Sequence, residues 1–191
     1  MSRSIVCLLL ALTFANCTPS QLPLGDADQQ GTGAARLRKP DVRYAPSPHS
    51  VVRAMLTLAG VSRNDVLYDL GSGDGRIPIA AARVYGARAV GIDIDPKLVA
   101  RARKNAREAG VSGLVTFRNE DLFEADLSGA SVVTLFLYPD VNLKLRPKLL
   151  AELRPGTRVV SHWHDMGDWK PDGTIEVERR PLYLWTIPNA R

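Results

Sequence analysis

The chain reads as a doubly wound α/β domain: a mainly parallel sheet of seven strands that closes with an antiparallel hairpin. Three observations carry this. From about residue 50 onward, short apolar runs alternate with stretches of helical period. The fourth run, Ser131 to Leu137, is apolar throughout, as a strand covered on both faces must be. The last two runs lie too close together for a helical crossover, so they pair antiparallel.

The elements follow in order. Ser50 is placed to cap a helix carrying Val51, Val52, Met55, Leu56 and Ala59 on one face, and Gly60 ends it. Val66 to Leu70 is a short buried strand. A glycine-rich turn leads into a helix through Ile79, Ala80 and Arg83. Arg88 to Ile94 is the second strand. Pro96 suits the first turn of the next helix, with Asp95 as its cap, running to about Gly110. Leu114 to Arg118 is the third strand and Ser131 to Leu137 the fourth. A helix from about Val141 to Leu153 contains Pro147 and is expected to kink or divide there. Thr157 to Ser161 is the fifth strand; Thr174 to Glu178 and Leu182 to Ile187 form the hairpin.

The 191 residues suffice for one domain with its own core. Ordinary apolar and charged fractions exclude disorder over the whole length. The only cysteines, Cys7 and Cys17, precede the domain, so it has neither a disulfide nor a thiolate metal site. The formal charge of +5 comes without a dense basic tract, so no nucleic-acid partner is expected. Arg3 followed by the apolar run Ile5 to Ala15 has the layout of an export signal and is too short to span a bilayer. Cleavage after Ala15 and lipidation at Cys17 are the two forms it can take. The expectation is an exported or membrane-anchored protein, tethered through its N-terminus in the second case, and a cytoplasmic one if the start codon is wrongly placed. Residues 18–40, poor in large apolar side chains, read as a linker, and residues 41–191 as the domain.

In such a sheet the ligand lies beyond the carboxyl ends of the strands. The first strand ends at Asp69-Leu70-Gly71-Ser72-Gly73-Asp74-Gly75. The glycines let the backbone approach a ligand. A dinucleotide fingerprint needs glycine at position 76, where Arg76 stands, and Asp74 would repel a pyrophosphate. The loop therefore suits a cationic nucleoside, or else is only a tight connection. Asp93 ends the second strand, placed to accept from ribose hydroxyls. Asp121 follows the third strand, placed either to accept from a purine amino group or to sit solvated in a loop.

The series DLGSGDG, GIDID and NEDLF resembles the class I S-adenosylmethionine-dependent methyltransferases, which have the Rossmann-like sheet. LYPDVNLKLRPKLL and RVVSHWHDMGDW narrow the resemblance to bacterial relatives of the mitochondrial lysine methyltransferases that modify ATP synthase c-subunit and adenine nucleotide translocase. The resemblance implies S-adenosylmethionine as cofactor, and a protein lysine or a small molecule as methyl acceptor. It implies that Asp69, Gly71, Gly73 and Gly75 form the methionine-side loop, that Asp93 holds the ribose, and that Asp121 holds the adenine. Tyr44 and Ser47 would close over the cofactor, unless Tyr44 to Pro48 is merely a proline-stiffened lead-in.

The acceptor side is less determined. Tyr138 follows the fourth strand, to orient an amine or simply to start a helix. His162 and His164 alternate with Trp163, so on an extended chain they share a side. His162 and Asp165 are candidates to take a proton from a lysine ammonium; the alternative is a self-bonded polar loop. No metal site is expected. The competing function is a nucleoside-binding module without turnover.

Overall fold

A computed structural model of the protein describes residues 37–189; the expected leader, lipidation site and most of the linker lie outside them. The strands are β1 (Val66–Leu70), β2 (Arg88–Asp93), β3 (Val115–Asn119), β4 (Val132–Leu135), β5 (Arg158–His162), β6 (Gly173–Val177) and β7 (Arg180–Thr186). The helices are α1 (His49–Leu58), α2 (Arg76–Tyr85), α3 (Pro96–Glu108) and α4 (Pro139–Glu152). The strands form one sheet in the order β3-β2-β1-β4-β5-β7-β6. The first five are parallel, and β7 pairs antiparallel with both β5 and β6. Strand order reverses between β1 and β4, which opens a crevice at their carboxyl ends.

Two apolar layers sandwich the sheet. Val51, Val52, Met55 and Leu56 of α1, with Ala81 of α2 and Ala102 of α3, pack on one face. Val141, Leu145 and Leu149 of α4 pack on the other, with Trp185 of β7. All four residues of β4 are buried, which is why its sequence shows no alternation.

Three expectations are corrected. Ser50 does not cap α1: Pro48 occupies the cap position and accepts from Val52 N at 2.9 Å, which leaves Ser50 inside the helix. Pro147 does not divide α4, which is one helix. Leu145 and Leu149 on either side of it are fully buried, and that packing outweighs the ~3 kcal/mol a mid-helix proline costs. Finally, β4 stops at Leu135 rather than Leu137, which frees the next two residues to turn toward the crevice. Asp95 caps α3 as expected, accepting from Lys97 N at 2.8 Å.

Candidate functional site

The crevice holds a cavity of about 290 Å³ lined by the ends of β1 to β4 and by the segment preceding α1. Tyr44, Ser47, Asp69, Gly71, Gly73, Asp93 and Asp121 all face it. Gly75 does not. It holds the position before α2 at φ 80, and a Cβ there would come within 2.5 Å of the Phe117 ring. Its role is to let the loop turn into the helix against β3.

The floor is backbone. Gly71 N and Ser72 N both donate to Ile92 O at 2.9 Å, and Gly73 N donates to Asp93 Oδ2 at 2.8 Å. A side chain at Gly71 would meet Leu137 at 2.8 Å, and one at Gly73 would meet the Tyr44 ring at 2.6 Å. The loop is thus a flat cradle.

Each carboxylate has a separate environment. Asp93 is buried, and its Oδ1 accepts from Asp95 N at 2.9 Å. Burial pushes its carboxyl up from the ordinary value. Asp69, next to last in β1, is buried and accepts from Thr134 Oγ1 at 2.7 Å. Burial pushes it up to about 7. Asp74 is gripped by Arg76, with Nε at 2.9 Å and Nη2 at 2.7 Å. The reading of Asp74 as a free anion that repels pyrophosphate is therefore corrected: the pair is close to neutral. Asp121 accepts from Phe123 N at 3.0 Å and from the Arg38 guanidinium, which also lies 5.0 Å from the Phe123 ring centroid. Arg38 falls within the stretch read as linker, yet it lines the cavity.

The segment before α1 is stitched down at three points. Tyr44 covers Gly73. Ser47 O accepts from Arg76 Nη1 at 2.7 Å, and Ser47 Oγ bonds His162 Nδ1 at 2.9 Å.

On the β4–β5 side the wall is Phe136, Leu137 and Val141. None of the three candidate catalytic residues lines the cavity. His162 stands behind the wall, buried, with its ring 4.0 Å from that of Phe136. Its Nε2 has no partner among the described residues, and burial pulls its imidazole down to about 4. It is a neutral prop for Ser47 and Phe136, and a poor proton acceptor at neutral pH. Tyr138 precedes α4 and is 47% exposed. Asp165 is exposed and accepts from Gly167 N at 3.0 Å, closing a turn. The two histidines do not follow an extended chain. His164 N donates to His162 O at 3.0 Å across Trp163, whose φ is 74. That is a γ-turn with a left-handed central residue, a strained form that ends the strand's alternation.

The model of the ANTKMT methyltransferase domain matches residues 69–173. A protein-lysine N-methyltransferase of Saccharolobus islandicus (strain REY15A) is 45% identical over 153 residues, which are 78% of this chain and 95% of the relative. The chain belongs to the ANTKMT methyltransferase family. The adenine nucleotide translocase lysine N-methyltransferase of Mus musculus is another relative, 39% identical over 73% of this chain. The alignment spans 59% of that longer protein. Among solved structures, an RNA methyltransferase from Salinibacter ruber in complex with S-adenosyl-L-homocysteine is 62% identical, with a TM-score of 0.76. The match covers 77% of this chain and 96% of that one.

This ANTKMT-family chain is therefore an S-adenosylmethionine-dependent methyltransferase. The cradle suits that cofactor: a main-chain floor with glycines at 71 and 73, and the Asp93 carboxylate, which keeps further lone pairs, at its rim. The reading of a module without turnover gives way to the family. Arg38 and Phe136 are site residues that the sequence did not reveal. The first lay beyond the expected domain boundary, and the second lay within the expected fourth strand.

Proposed function

We propose that this methyltransferase modifies the side-chain amine of a lysine in a protein acceptor. The observation that carries the reading is the apolar acceptor wall of Phe136, Leu137 and Val141. An ammonium entering such a wall loses hydration, and its pKa falls toward the neutral amine that attack requires. The Saccharolobus and mouse relatives, named for lysine methylation, support the same acceptor. The bound cofactor supplies a methyl group on a sulfonium. In the transfer the nitrogen–methyl bond forms as the sulfur–methyl bond breaks, sulfur leaves as a neutral thioether, and the amine proton passes to water. The protein's part is alignment and exclusion of solvent. Asp93 fixes the ribose, and the glycine floor carries the methionine side. Tyr44 and Ser47 cover it, and Phe136, propped by His162, shapes the approach.

The test is transfer of labelled methyl from S-adenosylmethionine onto cell extract, split into protease-treated and ribonuclease-treated halves. Label is expected to survive ribonuclease and to appear as N-methyl-lysine after hydrolysis. Label lost to ribonuclease overturns this reading for an RNA acceptor, the substrate for which the Salinibacter relative is named.

A further inference from the structure

The two helical layers carry charge differently. On α4 every cation is paired: Lys144 with Asp140, Lys148 with Glu152, and Arg146 with Asp168. Helices α1, α2 and α3 contain one acidic residue between them, Glu108, which is paired with Lys104. Arg53, Arg83, Lys97, Arg101 and Arg107 make no ion pair among the described residues, and all five are exposed. The sequence disperses these cations over more than fifty positions. The fold brings two of them, Arg53 and Arg83, to one groove.

Between α1 and α2 runs a groove of about 520 Å³. Arg53 and Arg83 line it over an apolar floor that includes Ile79 and Ala80, with Val84, 68% exposed, beside them. Thr57 Oγ1 and Tyr85 Oη, 3.2 Å apart, tie the two helices together. The groove shares Asp74 and Arg76 with the cofactor cavity, so it leads to the glycine loop. Arg76 already grips Asp74, which leaves Arg53 and Arg83 uncompensated.

We infer that this groove docks an acidic, amphipathic segment of the methyl acceptor, which rests on the protein-acceptor reading above. Carboxylates on the segment meet Arg53 and Arg83, whose forked guanidinium groups match them. Its apolar side chains meet Val84 and Ile79. The apolar floor distinguishes this partner from a nucleic acid, whose phosphate backbone needs cations alone; protein partners seat on apolar anchors ringed by polar groups.

The test uses the full chain and a fluorescein-labelled 16-residue peptide of Glu, Ala and Leu in helical amphipathic order. Its controls are the same peptide with Lys for every Glu, and a 16-nucleotide RNA. By fluorescence anisotropy, the acidic peptide is expected to bind at least tenfold more tightly than either control. Arg53→Glu combined with Arg83→Glu should weaken it at least tenfold, and Val84→Ser two- to fivefold. Calorimetric affinity for S-adenosylhomocysteine should stay unchanged, which also reports folding. If the charge reversal unfolds the protein, Arg53→Gln with Arg83→Gln takes its place. Equal binding of the acidic and basic peptides, or no loss in the double variant, overturns the inference. Tighter binding of RNA with the same loss overturns it in favour of a phosphate backbone. Label on RNA in the transfer assay removes the protein acceptor, whereas failure here alone removes only the groove.

Discussion

On the β1–β3 side of the crevice, the glycine loop and Asp93 are held by main-chain bonds, as in Gly73 N to Asp93. On the β4–β5 side the wall is made of side chains propped by other side chains, as Phe136 is by His162. The first arrangement tolerates almost no substitution, because each atom is fixed by the strand that bears it. The second can be recut one residue at a time. A cofactor common to the family favours the first, and acceptors that differ between relatives favour the second.

The comparison can be broken or sharpened by mutation, starting where the largest effect is expected. Gly75→Val forces a β-branched residue to φ 80 and drives it into Phe117. It should cost about 3 kcal/mol in urea unfolding, from left-handed strain plus overpacking. Gly156→Ala, at φ 83 but facing open space, should cost only about 1 kcal/mol.

Next comes Asp93→Ala. It removes a buried acceptor from Gly73 N and Asp95 N. Calorimetry should show affinity for S-adenosylhomocysteine falling by about 2 kcal/mol, roughly thirtyfold. Unchanged affinity would erase the distinction between the two sides.

A second pair of variants separates the sides by pH. Asp69, pushed up to about 7, keeps a proton in the folded state that the unfolded chain releases near pH 4, so it lowers stability as pH rises from about 4 to 7. His162, pulled down to about 4, stays neutral when folded while the unfolded chain binds a proton below about 6.5. It raises stability as pH rises through that window. The slopes, about 1.4 kcal/mol per pH unit each, oppose one another between about pH 4 and 6.5. Urea unfolding against pH should therefore tilt downward with rising pH in His162→Gln and upward in Asp69→Asn, each relative to the parent.

Asp165→Ala should do least. Its carboxylate closes only an exposed turn, so kcat is expected to change less than twofold and stability by about 0.5 kcal/mol. A hundredfold fall in kcat would return it to the site.

The legible part of the molecule is the part with local causes. Strand ends, glycines and the Asp95 cap announce themselves within a few residues, so β1, the loop and Asp93 could be read directly. The rest depends on contacts between distant positions. Ser47 and His162 are 115 residues apart, and Arg38 and Asp121 are 83 apart. No periodicity marks such pairs. The γ-turn at Trp163 was hidden for a different reason: tryptophan is among the last residues expected at positive φ.

The segment from Tyr44 to Ser47 carries a kinetic consequence. It covers the glycine loop and is fastened to Arg76 and His162, so release of spent donor is expected to wait on those fastenings. A burst is the expected signature: the first methyl delivered quickly, and each later one waiting on the exit of the thioether.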